Sequence, residues 1–377
     1  MKDAGALVDD AIDEILEVNK LINAMDNDDS IFELIVNPTL DCNFHCWYCY
    51  ENHLKGSKMD RDMVSATASL IKERISSQSH IRQFHLSFFG GEPLLCFDSV
   101  VYPLIKESDE ICRKSGVTFT VHFTTNAYLI TENMIEQLAP FKPSFQITLD
   151  GGESHHDNTR FAEGKKPSFR IILNNIKRLS MADMLIILRI NYTERNLDST
   201  QEIIDILENF PKECRRNIRV DYQRVWQDIP VEGKFKLEEK VDILRKRLSN
   251  IGYGTSNNRI IDYVRNTCYG NRNNELLVNF NGDVFACTAR DFKTENRLGF
   301  LTSDGKVEWN EELIKIRRAC RFSKQVCHDC RIAPLCGGGC RTKCMEHAGH
   351  DKCNLGFTQE DIDNIILDKF EARYMGY

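Results

Sequence analysis

Three cysteines fall within eight residues in Cys42-Asn43-Phe44-His45-Cys46-Trp47-Tyr48-Cys49. Three thiolates on one short loop can wrap one face of an iron–sulfur cubane. A [4Fe–4S] cluster ordinarily takes four cysteines, so three leave one iron open to an external ligand. A thioredoxin-like redox pair at Cys46 and Cys49 is the competing reading, and the preceding Cys42 weighs against it. Zinc would want a fourth local ligand, for which His45 is the only candidate. No histidine follows Cys49 or Cys330, which excludes c-type haem attachment. A second group lies downstream: seven of the 15 cysteines fall between Cys320 and Cys353, after Cys268 and Cys287. That stretch is too loopy to hold together by apolar burial alone, so metal centres would stabilise it.

The rest of the composition is ordinary. The chain has 377 residues, with Lys+Arg 49 against Asp+Glu 56 and a net charge of −7, which argues against a nucleic-acid-binding surface. Met184–Leu188 is among the longest purely apolar runs and is strand-sized, so no membrane span is expected. Asp3, Asp9, Asp10 and Asp13 stand where a signal peptide would carry basic residues. With an odd cysteine count, the expected setting is a reducing cytoplasm, with thiols on metal rather than in disulfides.

Elements that could position these residues follow from periodicity. Val8, Ile12, Ile15, Leu16 and Ile22 recur at helical spacing, opposite acidic Asp9, Asp13, Glu14 and Glu17, and predict a helix packed on the main body. Strands are predicted at Phe32–Pro38, Phe84–Phe89, Thr118–Thr124, Ser144–Leu149, Leu185–Asn191 and Ile218–Tyr222. Helices are predicted between them at Asp60–Ser77, Phe97–Lys114, Glu132–Leu138, Ser168–Leu179 and Leu197–Glu208. This alternation makes the fold class α/β, with right-handed crossovers and chemistry at the strands' C-terminal ends. An open partial barrel and a doubly wound sheet both fit six strands in series. Further on, a charged helix is expected at Lys236–Leu248 and a closing helix at Thr358–Arg373. Glu275–Phe280 and Asp283–Thr288 flank Asn281-Gly282 and read as a hairpin with a two-residue type I′ turn. Cys96, Cys112 and Cys214, on predicted helices, read as small buried hydrophobes.

The first cysteine loop, C-x3-C-x-aromatic-C after strand one, resembles the signature of the radical S-adenosylmethionine (radical SAM) enzymes. Gly90-Gly91-Glu92-Pro93 after the second strand resembles that family's GGEP motif. The resemblance implies a partial (β/α)6 barrel and glycines that let the backbone approach the cofactor's methionyl amine. Thr124-Thr125-Asn126-Ala127 is similar to the family's T-N-G turn, with Ala127 where Gly is usual. Thr148-Leu149-Asp150-Gly151 is similar to its S-x-D-G turn. The cofactor-binding residues so implied are Tyr48, Gly90, Gly91, Glu92, Pro93, Thr125, Asn126 and Asp150. His155-His156-Asp157-Asn158, ending at Arg160, resembles a segment that positions the loop rather than a metal site.

The downstream cysteines resemble the seven-cysteine SPASM domain, and the resemblance implies two auxiliary [4Fe–4S] clusters. Cys327, Cys330, Cys336 and Cys353 would bind the outer one. Cys268, Cys287 and Cys340 would bind the inner one, with Cys344, Cys320 or a substrate group as the fourth ligand. Implied domains are an N-terminal helical extension at 1–30 and the barrel at 31–225. A helical linker at 226–265, the small loop-rich SPASM domain with its hairpin at 266–355, and a C-terminal helix at 356–377 complete them. Peptide maturation by a thioether or carbon cross-link is the expected reaction, with formylglycine formation in sulfatases as the alternative. Sulfatase maturases carry an acid directly after the cysteine corresponding to Cys287; this chain has Thr288, and Asp291 becomes the candidate base. Expected partners are a precursor peptide, an electron donor of flavodoxin or ferredoxin type, and a separate leader-binding protein where the N-terminal helix does not serve.

Overall fold

The computed structural model describes residues 9, 11–228, 234–256 and 268–374. The predicted helix contribution of Val8 and the linker residues 229–233 and 257–265 lie outside them. The chain forms two compact units. One comprises Ile31–Ser256 with Leu276–Glu308; the other joins the residues up to Ser30, the stretch ending at Glu275 and those from Trp309 onward.

In the first unit, strands β1 (Ile31–Val36), β2 (Gln83–Phe88), β3 (Thr118–Thr125), β4 (Ser144–Leu149), β5 (Leu185–Tyr192), β6 (Ile218–Arg224) and β7 (Gly254–Thr255) line up in sequence order. Every neighbouring pair is parallel. An order that never reverses is that of an unclosed barrel; a doubly wound sheet would change direction at its middle. β8 (Glu275–Val278), β9 (Asp283–Phe285), β10 (Gly299–Leu301) and β11 (Val307–Trp309) extend the sheet beyond β1.

Parallel register sets like residues side by side. Phe32, Phe84 and Phe119 stack across three strands at 5.1 and 5.6 Å, and Phe88, Phe123 and Phe145 at 5.3 and 5.0 Å. Such offset pairs add about 0.5–1.5 kcal/mol each beyond burial. The opposite face is half-buried and polar, carrying Ser87, His122, Thr124, Gln146, Thr148, Arg189 and Asn191. Crossovers run through α2 (Arg61–Ser77), α3 (Tyr102–Ser115), α4 (Glu132–Leu138), α5 (Glu153–Thr159), α6 (Phe169–Met181) and α7 (Gln201–Glu208). Asp60 caps α2 by accepting from the Met63 N–H at 2.8 Å. A π-helical turn, Phe97–Val101, precedes α3 where the sequence predicted one continuous helix.

The hairpin differs from expectation. Leu277 pairs with Phe285 and Val278 with Val284, which leaves Phe280, Asn281 and Gly282 outside the ladder. Asn279 accepts from the Gly282 N–H at 2.9 Å, and Gly282 sits at φ +89°. This is a type I turn closed by a glycine bulge, not a two-residue I′ turn. The strands therefore stop at Val278 and Phe285.

In the second unit, α1 (Glu14–Asp26) packs Val18 and Ile22 against Phe322 and Ala333, beside Cys327 and Cys330. Its last residue, Asp26, is buried and pairs with Arg321 and Arg341, each at 2.9 Å. Arg341 also donates to the Asn271 carbonyl at 2.9 Å, and the Asn273 N–H donates to the Asp26 carbonyl at 2.8 Å. No described helix is long and apolar enough to cross a membrane.

Candidate active site

Five strand ends converge in the first unit. The loop after β1 carries Cys42, Cys46 and Cys49, and it turns on itself through the Cys49 N–H to the Cys46 carbonyl at 3.1 Å. The Phe44 N–H donates to the Cys42 sulfur at 3.4 Å, a contact suited to a thiolate. Burial pushes the Cys42 and Cys46 thiols up, so stable thiolates there call for a metal's charge.

Gly90-Gly91-Glu92-Pro93 follows β2 and lies against that loop. The Gly91 N–H donates to the Thr39 carbonyl at 3.1 Å and the Glu92 N–H to the Asp41 carbonyl at 2.8 Å. A Cβ at Gly90 would stand 2.4 Å from the Thr39 oxygen, and one at Gly91 2.2 Å from the Asp41 oxygen. The glycines are thus needed for contact with the chain leading into the cysteine loop. Pro93 opens a short 3-10 turn that Glu92 caps.

Glu92 is fully buried, and its carboxylate accepts from Thr125 Oγ1 at 2.7 Å, the Asn126 N–H at 2.8 Å and the Leu94 N–H at 3.0 Å. Burial raises its pKa, against the pull of these three donors. The Asn126 amide reaches Asn43 Oδ1 at 2.8 Å, tying the turn after β3 to the cysteine loop. Ala127 sits at φ +58°, the left-handed region where glycine is at ease, with its carbonyl held by Asn175 at 2.8 Å.

A second cluster centres on the Tyr48 hydroxyl. It donates to Asp150 Oδ2 at 2.5 Å and accepts from Arg160 Nη1 at 2.7 Å and Asn191 Nδ2 at 3.2 Å. Burial lifts Asp150 to about 6, countered by Arg160. His156 is buried, accepts from the Asp150 N–H at 3.1 Å through Nδ1 and meets Ser168 Oγ at 3.0 Å through Nε2. It is a neutral brace for the turn after β4, as a loop-positioning residue should be. Arg160 also lies over the Phe44 ring at 5.9 Å.

Beside this cluster opens a cavity of about 660 Å³ lined by Trp47, Tyr48, Asp150, Asn191, Asn196 and Asp228, among others. Tyr48 and Asp150 therefore face open space, while Glu92, Thr125 and Asn126 form a clamp. Asn191 was missed from sequence; a polar residue closing an apolar strand was the available signal. Asn43 and Asn52 were missed too. Asn52 donates to both oxygens of Asp291, at 3.1 and 2.7 Å, which brings the candidate base to the cysteine loop.

In the second unit, Cys327, Cys330, Cys336 and Cys353 line one cavity of about 350 Å³. The Cys344 thiol donates to the Cys320 carbonyl at 3.1 Å, and both residues are buried. Cys96, Cys112 and Cys214 are buried, as expected of packing residues.

Residues 36–208 match the model of the radical SAM superfamily. The chain carries a radical SAM domain. It is an enzyme of that superfamily, whose members bind S-adenosylmethionine and a [4Fe–4S] cluster. The residues present fit that group: three thiols share one loop, and Asn43 Nδ2 and Arg160 Nε beside it are buried without a partner. The radical SAM cyclopropyl synthase TigE of Paramaledivibacter caminithermalis is 23% identical over 353 residues, covering 85% of this chain and 70% of that one. A cysteine-type anaerobic sulfatase-maturating enzyme of Clostridium novyi is 23% identical over 374 residues, covering 91% and 94%. The fold matches the structure of anSMEcpe with bound AdoMet at a TM-score of 0.65, with 17% identity and 92% and 98% coverage. It also matches Streptococcus suis SuiB bound to precursor peptide SuiA at 0.59, with 16% identity and 94% and 84% coverage.

Proposed function

We propose that this enzyme modifies a ribosomally made peptide, closing a thioether or a C–C or C–O cross-link after a hydrogen atom is abstracted from an unactivated carbon. The observation that carries the reading is the Cys42–Cys49 loop beside an open polar cavity, with Asp291 hydrogen-bonded to the loop's flank through Asn52. When bound through Cys42, Cys46 and Cys49, the cluster and S-adenosylmethionine supply the 5′-deoxyadenosyl radical. The chain's own residues do the rest. Tyr48 and Asp150 orient the cofactor from the cavity wall, with Arg160 and Asn191 fixing the Tyr48 hydroxyl. Gly90, Gly91 and Pro93 hold the turn close to the loop, and Glu92, Thr125 and Asn126 lock it to β3. Asp291 takes the proton released as the new bond forms.

Auxiliary [4Fe–4S] clusters on Cys327, Cys330, Cys336 and Cys353, and on Cys268, Cys287 and Cys340, belong to the same proposal and would accept the one electron left over when the proton is released and the new bond forms. The buried Cys344 thiol, engaged with the Cys320 carbonyl, supports an open or substrate-filled fourth position on the inner cluster. A flavodoxin or ferredoxin in a reducing cytoplasm would supply electrons, and a separate protein would bind a leader. SuiB, solved bound to precursor peptide SuiA, supports the substrate class.

Formylglycine formation is the second reading, favoured by the sulfatase-maturating relative that this chain matches over most of its length. Thr288 in place of the acid after Cys287 weighs against it. The test offers the reduced, iron-loaded protein a precursor peptide encoded beside its gene and, separately, a cysteine-containing sulfatase peptide. Loss of two hydrogens from the precursor, with fragmentation blocked across a ring, is expected. A hydrazine-trapped aldehyde on the sulfatase peptide would replace this reading with the second.

A further inference from the structure

The cavity lined by Cys327, Cys330, Cys336 and Cys353 is walled by apolar groups, including Phe322, Ile332, Leu355 and Phe357, and by the exposed polar side chains of Asp329, Asp351 and Gln359. One polar side chain among them is buried. Asn354 lines the same cavity, is only 3% exposed, and has no hydrogen-bond partner at either Oδ1 or Nδ2. A carboxamide taken out of water with both ends unpaired is costly, and natural cores rarely tolerate one unless a ligand completes it. Nor can it swing away freely. A Cβ at Gly339 would stand 3.6 Å from the Asn354 Cβ and 3.3 Å from the Leu355 Cγ, so the loop joining Cys336 to Cys340 closes over this segment. The cavity's other polar side chains, Asp329, Asp351 and Gln359, bond Gln325, the Val326 N–H and Arg331 rather than the amide, which leaves the sulfurs of the four cysteines as its candidate partner.

A second observation agrees on the sign of charge. Lys324 is buried, and its ammonium donates to the carbonyls of His347 at 3.3 Å and Lys352 at 3.4 Å, the latter directly before Cys353. A buried cation and an unpaired N–H donor around four thiols suit a bound anion, and a thiolate-ligated cluster is one.

We propose that the Asn354 amide donates an N–H···S hydrogen bond to the iron–sulfur cluster held by Cys327, Cys330, Cys336 and Cys353, and that this bond raises the cluster's reduction potential. The inference rests on the auxiliary-cluster reading given above. A donor aimed at sulfur stabilises the reduced, more negative state over the oxidised one, which moves the potential upward. Asn354 is thus a tuning and positioning residue, not a catalytic one.

The test uses the full chain with Cys42→Ala, Cys46→Ala and Cys49→Ala, which removes the radical cluster's signal. Iron is counted after anaerobic reconstitution, and each remaining midpoint is measured by EPR-monitored redox titration. About eight irons per chain, four for each cluster, are expected in this parent. Iron near zero would overturn the auxiliary-cluster reading itself. In the iron-loaded protein, Asn354→Leu should lower one midpoint and leave the other in place. A tenfold rise in that cluster's oxidised-to-reduced ratio at fixed potential corresponds to about 59 mV for a one-electron couple. Unmoved midpoints at full iron content would overturn the proposal, as they would if water rather than sulfur satisfied the amide. Should Asn354→Leu lose one cluster, Asn354→Ser decides. Iron retained with a hydroxyl donor supports the hydrogen bond, and iron lost again assigns Asn354 to packing alone.

Discussion

Asp26→Asn changes one atom type and removes one charge at the end of α1. The native carboxylate is 2% exposed and meets Arg321 and Arg341 at 2.9 Å each. Both guanidinium-bearing side chains are themselves more than nine-tenths buried, at 6% and 9% exposed. Breaking a buried ion pair by removing one partner costs about 3–5 kcal/mol, because the remaining charge is left uncompensated. Asparagine still offers a carbonyl oxygen to one arginine, which puts the expected loss near the lower end, about 3 kcal/mol. By the rule that 1.4 kcal/mol is a factor of ten, amides that open with this contact should exchange about 150-fold faster. The Asn273 N–H, which donates to the Asp26 carbonyl, and the amides of α1 are the reporters. Native-state hydrogen exchange read by mass spectrometry is the assay, with the amides of β3 and β4 as an internal reference that should not move. Exchange of α1 altered less than about fivefold, or β3 accelerated equally, would refute the view that this ion cluster anchors α1 locally.

Three further outcomes follow from contacts in the first unit. Gly91→Ala should abolish correct folding of the cysteine loop, because its Cβ would stand 2.2 Å from the Asp41 oxygen; loss of radical-cluster iron with secondary structure retained is the readout. Ala127→Gly relieves a left-handed residue of about 1–2 kcal/mol of strain while adding about 0.5–1 kcal/mol of chain entropy. Chemical denaturation should therefore find it neutral to slightly stabilising, whereas a loss above about 1 kcal/mol would contradict the strain. Burial holds His122 down at about 4 from an ordinary 6.5, so the folded state resists a proton that the unfolded chain accepts. Its contribution is complete above pH 6.5 and falls away toward pH 4, by up to about 3 kcal/mol. His122→Gln should flatten stability measured across that window, and an unchanged acid limb would contradict it.

The parallel core was legible because strands and helices of this unit announce themselves by period. The predicted and observed limits of β4 and α4 coincide, and β2 shifts by one residue. What failed was local geometry dictated from elsewhere. Asn281-Gly282 has the composition of an I′ turn, yet the register set by Val278 and Val284 leaves the glycine as a bulge. The three cysteines of the first loop could be singled out by their spacing, and Tyr48 by the loop's resemblance to the radical SAM signature. The roles of Gly90 and Gly91 could not be read off, since what they touch is the carbonyls of Thr39 and Asp41, some fifty residues upstream. The partner of α1 was equally hidden: amphipathy shows that a helix has a buried face, not what covers it. Asp26 finds Arg341 at a separation of 315 residues. Asn191 and Asn52 escaped because a single polar residue acquires meaning only once Tyr48 or Asp291 stands within reach.

Formation of 5′-deoxyadenosine by the anaerobically reconstituted, chemically reduced protein with S-adenosylmethionine tests the central claim most directly. The account predicts its steady release by the native chain and none from the variant lacking Cys42, Cys46 and Cys49, with the iron count lower by about four. No 5′-deoxyadenosine from a fully iron-loaded native protein, or equal amounts from the cysteine variant, would contradict it.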